Sequence, residues 1–321
     1  MTWTPIFDRL SASRAGPFLG ATPSQRYTRG VTSQPQMPII IRPATPADAP
    51  AAGQICFDAF TAINRAHNYP PDFPHVEHAI GLLTTLFGLP GWHCLVAEED
   101  GRILGSNCLD ERSIINGIGP ITVDPTAQNR GVGRILMQAA LNRAASTRVA
   151  GVRLVQAAFH LRSLSLYTTL GFDVREPLAC MQGRTSTRSI PGCTVRAATP
   201  ADLAACNELS VTVHGFNRSA DLAQSIERGT AVLTERDNRI TAYASLLGFF
   251  GHATAETNPD LCALIASADT FAGSGILVPT RNAALFRWCL ANGLRVVQPL
   301  TLMSTGLYNT PAGAFLPSIL F

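Results

Sequence analysis

The chain contains no lysine: all 25 of its basic residues are arginine. Schiff-base chemistry and the lysine of a nucleotide-binding P-loop are therefore excluded. Charge of either sign is scarce, at 15% of 321 residues with a formal net charge of +3. So even a balance builds no basic patch, which argues against nucleic acid as a partner. No run approaches the ~18 consecutive apolar residues of a membrane span, and no membrane association is expected. The eight cysteines (Cys56, Cys94, Cys108, Cys180, Cys193, Cys206, Cys262, Cys289) include no C-x-x-C pair. They read as buried free thiols of a cytoplasmic protein rather than metal ligands or a disulfide framework. His75, His78 and His93 lack helical metal spacing, and no metal is expected.

A hydrophobic content of 46% over 321 residues favours two domains with cores of their own. Residues 1–37, rich in Ser, Thr, Pro, Gly and Arg, read as a mobile tail. Beyond them the chain repeats itself. Arg42-Pro43-Ala44-Thr45-Pro46-Ala47-Asp48 recurs as Arg196-Ala197-Ala198-Thr199-Pro200-Ala201-Asp202, an offset of 154. Glu98-x-Asp100-x-Arg102-Ile103 recurs as Glu235-x-Asp237-x-Arg239-Ile240 at 137, and the helix exit Gly171-Phe172 as Gly293-Leu294 at 122. The falling offsets describe a shortened second copy. The expected organisation is a first domain over 38–182, a polar linker over 183–192 and a second domain over 193–321. Each copy reads as mixed α/β, with an antiparallel hairpin section and βαβ-like crossovers.

One segment carries chemistry. A strand-like run, Gly119-Pro120-Ile121-Thr122-Val123-Asp124-Pro125, is followed by Gln128-Asn129-Arg130-Gly131-Val132-Gly133-Arg134 at the start of an apolar-periodic helix. A helix N-terminus offers unpaired N–H groups and partial positive charge, and glycines let an anion approach the backbone. The pattern suits a pyrophosphate, with Arg130 or Arg134 as a second clamp. A nicotinamide dehydrogenase is disfavoured, since G-x-G-x-x-G and its downstream ribose acid are absent.

Gln128-x-x-Gly131-x-Gly133 after a Val-Asp-Pro strand end resembles the acetyl-CoA loop of the GNAT N-acetyltransferase superfamily. The second GNAT signature, Asn-x-x-Ala-x-x-Leu-Tyr-x-x-x-Gly-Phe, is matched by His160-x-x-Ser163-x-x-Leu166-Tyr167-x-x-x-Gly171-Phe172, with His160 and Ser163 departing from it. The resemblance spans 38–182 and implies a mixed α/β GNAT fold, acetyl-CoA as co-substrate and no metal. It implies that Ile121 and Val123 pair with pantetheine and that Gln128, Asn129, Arg130, Gly131, Val132, Gly133 and Arg134 hold the pyrophosphate. His160, Ser163 and Tyr167 would complete the coenzyme site, and Tyr167 would protonate the departing thiolate as general acid. The base is left among Glu111 (the first choice), His160 and water. The Asn68–Phe73 stretch lies where the family lines its acceptor site.

The second copy lacks this machinery. Gly273-Ser274-Gly275 precedes a strand rather than a helix, and Cys289 falls where Tyr167 stands in the first. It reads as a degenerate GNAT-like domain that either completes the acceptor pocket or caps the first. The expected function is N-acetylation of a small-molecule amine or an N-terminus by a monomer or homodimer. The alternative is a non-catalytic acyl-CoA-binding sensor or assembly module.

Overall fold

The computed structural model describes residues 38–321, so the expectation for 1–37 lies outside the described residues. In chain order the first half is β1 (Ile40–Pro43), α1 (Ala49–Ala66), α2 (Val76–Gly88), β2 (Trp92–Glu99), β3 (Arg102–Asp110), β4 (Ile115–Ile118), β5 (Thr122–Val123), α3 (Val132–Ser146), β6 (Gly151–Ala157), α4 (Leu161–Thr169) and β7 (Asp173–Gln182). The second half is β8 (Thr194–Ala197), α5 (Leu203–His214), α6 (Ser219–Glu227), β9 (Val232–Arg236), β10 (Arg239–Ala244), β11 (Ala253–Ala255), α7 (Asn258–Ser267), β12 (Ile276–Pro279), α8 (Ala283–Ala291), β13 (Arg295–Gly306) and β14 (Ala314–Leu316). Residues 183–192 join the halves without a helix or strand. The architecture is mixed α/β, as expected.

The repeated motifs occupy matching places. In the first half Ile40 pairs with Glu98 across β1 and β2; in the second Thr194 pairs with Glu235 across β8 and β9. Arg42 reaches Asp48 and Glu98 at 2.8 and 2.7 Å, as Arg196 reaches Asp202 and Glu235 at 2.8 and 2.6 Å. Each aspartate also closes a capping box with its threonine, Thr45 or Thr199. These arginines are over a third exposed, so each pair contributes about 0.2–1 kcal/mol and chiefly fixes how strand meets helix.

The halves are not separate sheets side by side. One nine-stranded sheet runs β1-β2-β3-β4-β6-β13-β7-β12, with β5 on β3, and a five-stranded sheet runs β14-β11-β10-β9-β8. Strand β13, from the second half, lies antiparallel between β6 and β7 of the first. Strand β12 lies on the outer side of β7. The pairing is two-fold: Leu154 meets Met303 as Ile276 meets Met181, each partner displaced by 122. Leu178 pairs with its own counterpart, Leu300, and the two bulged residues, Arg175 and Val297, are likewise 122 apart. Without β13 both β6 and β7 would expose unpaired backbone, so neither half completes its sheet alone. A shared core, including Ile115, Leu178, Phe249, Leu300 and Phe321, joins the halves behind this seam.

All eight cysteines are free and seven are buried, as expected. No helix among the described residues is long and apolar enough to cross a membrane.

Candidate active site

The site begins where two strands part. Parallel β4 and β6 are paired from Ile115–Gly151 to Gly117–Arg153 and no further. Beyond Ile118 the chain parts from β6 and pairs with β3 again as β5, Gly105 opposite Val123, while β6 continues against β13. The wedge between them is a cavity of about 530 Å³, lined by residues 118–123 on one side and 154–157 on the other. Its size suits a small-molecule ligand. Ile121 and Val123 face it, where the loss of strand pairing leaves backbone for an extended amide chain to meet.

The glycine loop forms one wall. Asp124 caps a short turn at 125–127 through the Thr126 amide at 2.7 Å, and the Gln128 side chain reaches back to the Val123 carbonyl at 3.4 Å. Gly131 then adopts φ +85°, a left-handed conformation costly for other residues, and α3 starts with no side-chain cap. A Cβ at 131 would meet no atom within 4 Å. No side chain caps the first N–H groups of α3, and Gly131, Val132 and Gly133 border the cavity. Gln128, Asn129, Gly131, Val132, Gly133 and Arg134 all line the cavity. Arg130 does not: its guanidinium turns to Glu99, at 3.0 Å from Oε2, which corrects its expected place in the loop. Arg162 takes up that position from α4, donating to Gln128 Oε1 at 2.7 Å and Asn129 Oδ1 at 3.2 Å. Sequence reasoning missed it, although it lies inside the second motif.

Helix α4 forms the adjoining wall and brings His160, Ser163 and Tyr167 to the same cavity. Tyr167 is buried, and burial pushes its phenol up to about 12 while a hydrogen bond with Ser163 pulls the other way. It therefore stays protonated across the neutral range. Ser163 Oγ lies 2.5 Å from His160 Nδ1. The two departures from the GNAT signature are thus partners of one another, beside Tyr167. Burial, with Arg162 and His67 adding positive charge nearby, lowers His160 to about 4. It is a neutral imidazole at pH 7 and too weakly basic to deprotonate an ammonium.

Glu111 is not brought to the cavity. Its carboxylate accepts from Arg143 Nε and Nη2 at 2.8 and 3.0 Å, near the C-terminal end of α3. Eleven residues separate Arg143 from Val132, about 16 Å along a helix that meets the cavity at its other end. Its expected role as base is corrected on that ground.

A further wall comes from parts the motifs did not mark. The loop after α1 is fixed by Tyr69 stacked on Phe159, centroids 4.2 Å apart, and presents Asp72 and Phe73. The second half supplies Phe249, Phe250, Gln298, Leu300, Ile319 and Leu320. It therefore contributes to the lining of the pocket. Asp72 could be suspected from the Pro-rich segment around it, but nothing local announces Gln298.

Among the described residues no cluster of His, Cys, Asp or Glu could hold a metal ion. Residues 90–174 match the family model described as an acetyltransferase (GNAT) domain. Two solved structures extend the similarity of fold across both halves. A candidate acetyltransferase of Pyrococcus horikoshii is 20% identical with a TM-score of 0.65, over 86% of this chain and 94% of that one. A GCN5-related N-acetyltransferase of Sphaerobacter thermophilus is 17% identical with a TM-score of 0.58, over 85% and 98%. None of the curated proteins matches the sequence. The glycine loop, the parted strands and Tyr167 all lie inside the segment that matches the GNAT acetyltransferase domain.

Proposed function

We propose that the protein is an acetyl-CoA-dependent N-acetyltransferase that acetylates a primary amine of a small molecule or an N-terminus by direct attack. The observation that carries this reading is the meeting, in one cavity, of an uncapped helix N-terminus, a free strand edge and a buried protonated phenol. Bound acetyl-CoA supplies an acetyl thioester and a thiolate leaving group. The first N–H groups of α3, with Arg134 and Arg162, would hold the pyrophosphate. The backbone at Ile121 and Val123 would align the pantetheine amides. Tyr167 donates its proton to the departing sulfur, and Ser163 with His160 offers a route by which the phenol regains one.

In the same reading residues 38–182 are the coenzyme-binding copy and 193–321 a degenerate GNAT-like copy. The offset of 122 shared by strand register, bulges and helix exits supports a duplication with exchanged strands. Titration calorimetry of acetyl-CoA into the full chain should give one site. Tyr167→Phe should then lower kcat at least ten-fold and leave coenzyme affinity unchanged. An unchanged kcat would remove Tyr167 as the acid. Coenzyme binding with no turnover of any amine in a broad panel would leave the sensor reading in its place.

A further inference from the structure

Asp72 is a carboxylate without a counter-ion. Its Oδ1 accepts from Gln298 Nε2 at 3.2 Å and its Oδ2 from Asn64 Nδ2 at 3.1 Å. Among the described residues it forms no ion pair. Two neutral amides offset only part of the cost of withdrawing an anion from water, and burial accordingly raises its pKa. The site lacks a cation.

A neighbouring atom repeats the message. Gln298 is 2% exposed, and with its amide nitrogen turned to Asp72 its carbonyl oxygen has no partner among the described residues. Its side chain lines the cavity with Asp72. Buried amides left this way are rare and mark a place for a hydrogen-bonding ligand.

The rest of this part of the cavity is apolar. Phe60, Phe73, Phe250 and Leu320 belong to one packed cluster and all face it, the first two rings lying 6.2 Å apart. The arginines that line the cavity are committed elsewhere: Arg162 to Gln128 and Asn129, Arg134 to Thr169. His160 is neutral. Among the described residues no cation is left there to meet a carboxylate.

We infer that Asp72 and Gln298 form a subsite for the ammonium group of an apolar primary amine that bears no carboxylate. Asp72 is the anion and the Gln298 carbonyl a second acceptor, while the aromatic walls take the substituent and favour the cation in addition. This deepens the acetyltransferase reading and rests on it for the fate of the amine, though not for its binding. An ammonium must lose one proton before its nitrogen can attack, and Asp72 is placed to accept it and pass it to solvent. Gln298 belongs to the strand inserted from the second half, so that half contributes directly to acceptor choice.

The test is calorimetric titration of the full chain, saturated with coenzyme A, with 2-phenylethylamine and with phenylalanine, which differs by one carboxylate. 2-Phenylethylamine should bind at one site and phenylalanine at least thirty-fold more weakly. Asp72→Asn, nearly isosteric, should weaken the amine at least ten-fold with coenzyme A affinity and melting temperature held; Gln298→Leu should weaken it less. Equal affinities for the two ligands would overturn the inference. So would an Asp72→Asn variant with unchanged amine affinity, or coenzyme A binding without any binding of 2-phenylethylamine. Selective amine binding without acetylation would support the subsite while refuting the enzyme reading.

Discussion

The two halves each place a helix against the central strands of a hairpin section, α3 on β2, β3 and β5, and α7 on β9, β10 and β11. Their N-termini are opposites. Helix α3 opens at a left-handed glycine, uncapped, onto the cavity. Helix α7 opens at Thr257, and a wholly buried carboxylate, Asp260, sits in its first turn. That carboxylate accepts from Arg236 at 2.9 Å, Thr241 at 2.9 Å and Thr257. One helix end is left open and the other contains its own anion. The reversal traces to one repeated position: Glu99 draws Arg130 aside in the first half, whereas its counterpart at the 137 offset, Arg236, holds Asp260 in the second. Exchanging an acid for a base at a strand end changes whether a helix dipole is free to bind or already satisfied.

The comparison can be broken most sharply at Gly131. Gly131→Glu puts a side chain where φ is +85° and a carboxylate where the pyrophosphate would lie, so coenzyme binding should fall at least a hundred-fold by calorimetry. The open space in front of the residue should leave the melting temperature within a few degrees. Retained binding would mean that this helix end is not the anion site.

Next in size is Asp260→Ala, which strands Arg236 and two threonines in the second half. Denaturant unfolding should register a loss of about 3 kcal/mol, while acetyl-CoA affinity and a stoichiometry of one stay as they were. A second coenzyme site appearing in this variant would show that the carboxylate alone had been closing α7.

The smallest effect concerns the buried histidines of the two halves, His160 and His252, both lowered to about 4 chiefly by burial. At His252 the neighbouring Asp221 stays ionised: burial would raise its pKa, but the bond with His252 and the charges of Arg218 and Arg112 hold it well below the usual range. A histidine whose folded pKa is depressed contributes stability above its unfolded value near 6.5, and that contribution is lost as pH falls toward 4. The melting temperature should decline across that window. His252→Gln should flatten the decline by the equivalent of roughly 2 kcal/mol. A profile parallel to that of the parent protein would remove His252 as the titrating group.

Most elements could be read from local pattern. The hairpin turns at Asp100-Gly101 and Asp237-Asn238, the Thr-Pro-Ala-Asp helix starts and the glycine loop before α3 are each set by a few adjacent residues. These are short-range features, set by φ preferences, capping and apolar period. Glu111 failed for the opposite reason. Its position beside the motif in sequence says nothing about which end of α3 it meets, and a bidentate arginine at the far end holds it there. Arg130 is similar, since its choice between loop and Glu99 depends on a strand 31 residues away.

By itself the sequence determined the repeated motifs, the glycine loop before α3 and the signature around Tyr167, because each is a pattern of neighbours along one stretch of chain. Only the tertiary structure decided that β13 would enter the first half's sheet, bringing Gln298 to Asp72 across 226 positions of sequence. Strand exchange leaves no local mark: the exchanged strand has the same alternation and the same bulge whichever copy it completes. What selects the partner is the unpaired edge of β6, which either β7 or β13 could satisfy and which the folded chain satisfies with β13, leaving β7 to pair on its far side.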